Sequence, residues 1–151
     1  MLLAGLLYFF GQDIKDMAKT PYNPNKVIEG GQQIQLDIQD AYLHRVLEGL
    51  RLDTKLSIVW DCGNGAAGPA IEKLSKSLSG EHEVLFADVD GNFPNHHPDP
   101  TIEKNLETLI TRVREKNANL GIAFDGDGDR IGVIDDLGNI LWGDQLLAIF
   151  A

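Results

Sequence analysis

The chain has 151 residues, of which 43% are hydrophobic and 24% charged, and its formal net charge is −10. This composition is that of a soluble globular protein with enough apolar residues to bury a core. The acidic balance argues against nucleic acid as the main partner, because no basic field is available to neutralise phosphates.

The two ends of the chain are both apolar. Residues 1–10 lack the basic region and the cleavage site of a secretory signal. They are also too few to span a bilayer, so no membrane partner is expected. A second apolar face begins near the other end, at Leu146, Leu147, Ile149 and Phe150. Both ends therefore suggest a fragment of a longer protein.

Cys62 is the only cysteine, so an intrachain disulfide is impossible. This favours a reducing, cytoplasmic location. Because Cys62 ends an apolar run, a small buried thiol is a better interpretation than a nucleophile.

Residues 1–51 are predicted to precede a compact domain over residues 52–151, and their polar part is predicted to be a connector. Pro21, Pro24 and the pair Gly30-Gly31 are typical of a connector. Asp37 is placed to cap a helix. The apolar positions of that helix recur at helical spacing: Ile38, Ala41, Tyr42, Val46 and Leu50.

From residue 52 onward, short apolar runs alternate with amphipathic segments. Strands are predicted at residues 56–60, 83–89 and 120–124. One helix is predicted to end at Gly80, and a second is predicted to start at Asp99-Pro100. The buried stripe of the second helix is Ile102, Leu106, Leu109, Ile110 and Val113. This βαβαβ order predicts three parallel strands with right-handed crossovers.

Two further apolar segments, residues 131–134 and 139–142, are joined by a short hairpin signal. At least one added strand should therefore run antiparallel to its neighbours. The predicted fold class is α/β, a three-layer α/β/α domain with a mostly parallel mixed sheet carrying an antiparallel edge strand. Ligands of such sheets gather at the carboxyl ends of the parallel strands. Three loops should meet there: residues 61–68, 90–100 and 125–130.

The third of these loops, Asp125-Gly126-Asp127-Gly128-Asp129-Arg130, carries three carboxylates at alternating positions. Anions this close repel one another unless a cation offsets the repulsion, and carboxylate oxygens suit Mg²⁺, Mn²⁺ or Ca²⁺. A metal site is therefore favoured over a solvated acidic turn. An EF-hand loop would need glycine and glutamate where Arg130 and Asp136 stand, and it would lie between helices.

The other two loops carry weaker signals. Gly63, Gly65 and Gly68 have the spacing of a dinucleotide-binding turn, but a tight strand-to-helix turn is the favoured interpretation. His96 and His97 are adjacent in a proline-rich extended loop, where neighbouring side chains point to opposite sides. A shared zinc ion is therefore not expected, and a loop that shapes a cleft or contacts another domain is favoured.

Three segments together resemble the second domain of the α-D-phosphohexomutases, and most closely the bacterial phosphomannomutase/phosphoglucomutase enzymes. The matching segments are residues 61–65, residues 90–100 and the acidic loop 125–130. The resemblance covers residues 52–151, and residues 11–50 look like the end of the first domain with its connector.

The resemblance implies a four-domain enzyme that interconverts hexose 1-phosphate and hexose 6-phosphate through a phosphoserine and a bisphosphorylated sugar. In such an enzyme, Asp125, Asp127 and Asp129 would hold Mg²⁺, and Arg130 would be directed at a phosphate. The expected partners are mannose or glucose phosphates and the missing mutase domains.

The chain departs from the family pattern because it has no serine in an S-H-N-P context. The sugar-recognition and phosphate-binding loops of the third and fourth domains are also absent. No turnover by the chain alone is therefore expected. Two alternatives stay open: a stand-alone metal-binding or interaction module, and a phosphatase-like enzyme with an aspartate of the acidic loop as nucleophile.

Overall fold

The computed structural model describes residues 36–50 and 54–151, together with Lys19. The chain divides into two compact units, Met1–Leu36 and Asp37–Ala151. Most of the segment predicted to end a preceding domain lies outside the described residues. Its assignment, and the boundary between residues 51 and 52, therefore remain predictions.

The second unit contains a five-stranded sheet in the order β2-β1-β3-β4-β5. Its strands are β1 (Ile58–Asp61), β2 (His82–Leu85), β3 (Leu120–Phe124), β4 (Ile131–Asp135) and β5 (Ile140–Leu141). β1 runs parallel to both β2 and β3. β4 runs antiparallel to both β3 and β5. The predicted α/β class is confirmed, and the reversed strand is β4, with the two-residue strand β5 outside it.

The described residues of the second unit form four α-helices. They are α1 (Gln39–Leu47), α2 (Gly68–Ser77), α3 (Glu107–Lys116) and α4 (Gly143–Phe150). Successive residues of β1 face opposite sides of the sheet. Val59 packs with Leu109 and Val113 of α3, whereas Trp60 packs with Ile71 of α2. β1 is therefore buried on both faces, as its continuous apolar run predicts.

Three predicted boundaries are wrong. α2 ends at Ser77, not at Gly80, because Leu78 is already extended. β2 ends at Leu85, not at residue 89, because Phe86 has a positive φ of 52° that takes the backbone out of the sheet. The second helix does not start at Asp99-Pro100: a 3₁₀ turn at Glu103–Leu106 leads into α3. Ile102 is extended and 47% exposed, so it is not part of the buried stripe.

The two outer helices are only partly buried. In α1 the buried residue is Leu43, not the predicted stripe, and Tyr42 and Val46 are exposed. α1 contacts α2, and Lys73 donates a 2.9 Å hydrogen bond to Asp40. α4 buries Leu146 and leaves its other three predicted apolar residues exposed. Among the described residues, none of the helices is long and apolar enough to cross a bilayer.

Candidate metal centre

The carboxyl ends of β1, β2 and β3 bring three loops to one edge of the sheet. Because β1 lies between the other two strands, the glycine turn that follows it contacts both neighbouring loops. The Asp90 N–H donates to Asn64 O at 3.0 Å, and the Ala66 N–H donates to Gly126 O at 2.9 Å. The predicted meeting of the three loops is therefore present in the structure.

The acidic loop reverses the chain between β3 and β4. The Asp125 N–H donates to Arg130 O, and the Gly128 N–H donates to Asp125 O, each at 3.2 Å. A positive φ of 77° at Gly128 completes the reversal, and glycine adopts this conformation without a steric penalty. The backbone therefore folds the loop back on itself, which turns its alternating side chains toward a common point.

One ligand atom from each of Asp125, Asp127 and Asp129 lies within 4.8 Å of the other two. Asp125 is 2% exposed, and the other two are exposed. In the described part of the chain, the Asp127 carboxylate has no hydrogen-bond partner. Three grouped carboxylates, one of them with both oxygens unbonded by any described residue, match the donor set of a hard divalent cation.

Arg130 holds Asp125 in place. Its backbone N–H donates to Oδ1 of Asp125 at 3.0 Å, and its Nε donates to Oδ2 at 2.8 Å. Burial works to raise the pKa of Asp125, but these two bonds outweigh it and lower the pKa to about 2. The pKa of Asp129 is raised by its hydrogen bond to Asp125 and by repulsion from Asp127 and Asp125. The loop thus concentrates negative charge that a single guanidinium only partly offsets.

Arg130 also reaches the neighbouring loop, because its Nη1 donates to Oδ1 of Asp99 at 3.3 Å. The hydroxyl and the N–H of Thr101 donate to the same carboxylate and lower the pKa of Asp99. Sequence reasoning assigned Asp99 to a helix cap and missed this contact. Its position in a loop at the same sheet edge was the only available signal.

The glycines after β1 are explained by close packing. A Cβ added at Gly65 would lie 2.8 Å from Gly126 O, and one at Gly68 would overlap the Ala87 carbonyl. This arrangement favours the strand-to-helix interpretation over nucleotide binding. Cys62 beside them is fully buried, and burial, with the nearby charges of Asp61 and Glu72, raises its pKa to about 12. A buried, protonated thiol agrees with the predicted structural role.

The two histidines diverge, as predicted. His96 Nε2 lies 3.1 and 3.0 Å from the two carboxylate oxygens of Asp61. The hydrogen bond to Asp61 raises the pKa of His96, with burial opposing it. The ring of His97 instead meets Phe93 edge to face, with centroids 6.3 Å apart. Sequence reasoning missed the Asp61–His96 pair, because its partners are 35 residues apart.

Residues 40–138 match the family model described as phosphoglucomutase/phosphomannomutase, alpha/beta/alpha domain II. The chain belongs to this family. A phosphomannomutase/phosphoglucomutase of Pseudomonas syringae pv. tomato is 48% identical over 127 residues, which cover 84% of this chain and 27% of that protein. A phosphoglucomutase of Neisseria meningitidis serogroup B is 45% identical over 121 residues, which cover 80% of this chain and 26% of that protein.

The fold is also shared with a solved member of the family. The structure of a phosphoglucomutase/phosphomannomutase family protein from Burkholderia thailandensis superposes with a TM-score of 0.73 at 45% identity. The match covers 78% of this chain and 26% of that one. The chain therefore spans about a quarter of the length of the relatives it matches. The family resemblance drawn from the three loops is confirmed.

Proposed function

We propose that this chain is the metal-binding part of a phosphohexomutase that interconverts hexose 1-phosphate and hexose 6-phosphate. The observation that carries this proposal is the grouping of three carboxylates within 4.8 Å, beside an arginine, at the ligand-binding edge of the sheet. The relatives named phosphomannomutase/phosphoglucomutase support the substrate class.

In this proposal Asp125, Asp127 and Asp129 hold Mg²⁺. The ion, when bound, offsets charge on the transferring phosphoryl group and orients that group for in-line attack. Asp125 is suited to ligation because its lowered pKa keeps it ionised. Its burial and its commitment to Arg130 support a ligand over the nucleophile of a phosphatase-like enzyme, since an attacking oxygen must be free.

Arg130 contributes a phosphate contact. Its Nε is committed to Asp125 and its Nη1 reaches Asp99, so its remaining N–H groups are available to a phosphate oxygen. The side chain is 52% exposed, which leaves room for a substrate or a phosphoserine beside it. Two fixed bonds restrict the guanidinium, so little rotamer freedom is lost when a phosphate binds.

The chain supplies the metal site without the nucleophile. None of its serines lies in an S-H-N-P context, and the parts that would recognise the sugar and clamp its phosphate belong to other domains of the enzyme. We therefore expect metal binding by the 151-residue chain without mutase turnover.

Calorimetric titration with MgCl₂ and a coupled assay on the same purified chain test both halves of this proposal. We expect one Mg²⁺ per chain for the native protein and roughly 100-fold weaker binding for Asp127→Asn. We expect no conversion of glucose 1-phosphate when glucose 1,6-bisphosphate is supplied as activator. Absence of Mg²⁺ binding to the native chain would reject the metal site. Steady turnover would reject the expectation that the chain alone cannot catalyse the mutase reaction.

A stand-alone metal-binding or interaction module is the second candidate, and it is favoured by the missing nucleophile motif. The mass of the native protein in cell extract, detected with an antibody against this segment, separates the two. A species of roughly 50 kDa, as four domains of ordinary size require, supports the mutase. A species of 16.6 kDa supports the module.

A further inference from the structure

Both ring nitrogens of His96 face hydrogen-bond acceptors. Nε2 lies 3.0 Å from Oδ2 of Asp61, and Nδ1 lies 3.0 Å from the carbonyl oxygen of His97. A carbonyl oxygen can only accept, so Nδ1 must carry a proton, and Nε2 carries a second proton opposite an ionised carboxylate. In that arrangement His96 is an imidazolium, paired with Asp61, whose side chain is fully buried.

The carboxylate side of this pair belongs to the glycine turn. Asp61 is the last residue of β1, and its Oδ1 also accepts the Gly63 N–H at 2.9 Å. The same turn then contacts the acidic loop: the Ala66 N–H donates to Gly126 O at 2.9 Å, and Gly65 is packed against the Gly126 backbone. Asp61 thus fixes a turn that supports the acidic loop from one side.

The imidazolium side belongs to the proline-rich loop, which also contacts Gly126. A Cβ added at Gly126 would lie 3.4 Å from Pro98 Cγ and 3.6 Å from Phe93 Cζ. His96 lies between these two residues in the sequence. Gly126 is therefore in contact with both the turn and the proline-rich loop, and it separates two of the three clustered carboxylates.

The Asp61–His96 pair joins these two supports. Among the described residues, no hydrogen bond joins Asp61 or His96 to the clustered carboxylates, so the pair acts on them through the backbone it holds. We propose that His96 is a positioning residue for the metal site: its ion pair with Asp61 fixes the turn and the proline-rich loop against Gly126 and so keeps the three carboxylates together. This proposal rests on the Mg²⁺ site proposed above.

The test compares Mg²⁺ affinity, measured by calorimetry, between the native chain, His96→Gln and Asp61→Asn. Each substitution removes one charge and leaves a hydrogen-bonding amide. We expect each single variant to bind Mg²⁺ about 10-fold more weakly, the size of effect that outer-shell partners of metal ligands have. Because both act through one bond, the double variant should bind no more weakly than the singles.

Loss of stability alone must be separated from positioning. Arg112→Gln is the matched control, because it removes a charge from the Glu83–Arg112 ion pair near the amino end of β2, away from the acidic loop. We expect its Mg²⁺ affinity to equal that of the native chain. His96→Lys, which restores a positive charge, should recover most of the affinity lost in His96→Gln.

The outcomes are distinguishable. If the native chain binds Mg²⁺ and folded His96→Gln binds it equally well, the positioning role is wrong and the metal site stands. If the native chain does not bind Mg²⁺, the proposed function fails first. Should His96→Gln not fold, nuclear magnetic resonance of the native chain decides. Saturating Mg²⁺ should slow solvent exchange of the His96 ring protons, and unchanged exchange would overturn the proposal.

Discussion

Two aspartate- and glycine-containing loops flank β4, and they use their carboxylates differently. In the loop after β4, residues 135–139, the carboxylate of Asp135 accepts hydrogen bonds from other residues of the same loop. Asp135 accepts the N–H groups of Leu137 at 3.0 Å and Asn139 at 2.7 Å, together with the Asn139 side-chain amide at 2.9 Å. The bonds from Asn139 lower the pKa of Asp135. This loop is a self-contained turn.

The loop before β4, residues 125–130, satisfies only Asp125 in this way. Asp127 has no hydrogen-bond partner among the described residues, and neighbouring carboxylates raise the pKa of Asp129. Other loops support this one, through Ala66 and Asp99. A loop that leaves carboxylate charge unpaired while distant residues fix its backbone is suited to binding a cation. Residue types alone do not distinguish the two loops, whereas their hydrogen bonds do.

The largest expected difference is in metal binding. Asp127→Asn should weaken Mg²⁺ binding by roughly 100-fold, because affinity in such sites follows the number of charged ligands. Asp135→Asn should leave it unchanged. Without Mg²⁺, Asp127→Asn should raise the melting temperature, since it removes repulsion at no cost in hydrogen bonds. Calorimetry and thermal melts in EDTA check both, and equal Mg²⁺ affinities for the two variants would remove the distinction between the loops.

Each loop is also hydrogen-bonded by one arginine, the acidic loop by its own Arg130 and the loop after β4 by Arg114 of α3, and the two arginines should differ in importance. Arg130→Gln leaves the buried Asp125 carboxylate without its charged partner. Arg114→Gln removes hydrogen bonds to the backbone carbonyls of Leu137 and Gly138, which are uncharged. We expect the melting temperature to fall by roughly 5–10 °C for Arg130→Gln and about 3 °C for Arg114→Gln. The reverse order would show that Asp125 does not depend on Arg130.

Local pattern sufficed to predict the acidic cluster, because alternating aspartates and glycines in one short loop must lie close together. It also sufficed for the parallel direction of the first three strands, since βαβαβ units leave few topologies. It could not reveal the Asp61–His96 pair or the Arg130–Asp99 contact, whose partners lie 35 and 31 residues apart. Nor could it place Phe86 in the left-handed region, because that conformation depends on the neighbouring loops.

The long-range support of the acidic loop should make stability depend on pH. Because His96 has a raised pKa in the folded chain, the stability it contributes is fully present below the unfolded-state value of about 6.5. That contribution is lost as pH rises through the folded-state pKa. Its size should reach about 2 kcal/mol, the worth of a hydrogen bond to a charged group. Urea unfolding from pH 6 to 9 should show a decline that His96→Gln reduces. If the free energy of unfolding depends on pH identically in the native chain and in His96→Gln, His96 does not provide this support.

The smallest expected difference concerns the glycine of each loop. Gly128 and Gly138 have nearly the same positive φ, 77° and 80°, so alanine should cost each about 1 kcal/mol in backbone strain. A Cβ at Gly128 would make an ordinary contact, 3.6 Å from the Ala67 Cβ. A Cβ at Gly138 would overlap the Arg114 guanidinium.

Arg114 can move away from that Cβ only by giving up its hydrogen bonds to the hairpin carbonyls, which should cost about 1 kcal/mol more. Gly138→Ala should therefore be the more destabilising change in urea titrations, even though its loop does not bind metal. Adding Arg114→Gln to both variants sharpens the test, because it removes the obstacle at Gly138 and should make the two alanine costs equal. A remaining excess at Gly138 would mean that the self-contained turn, and not its arginine, sets the cost.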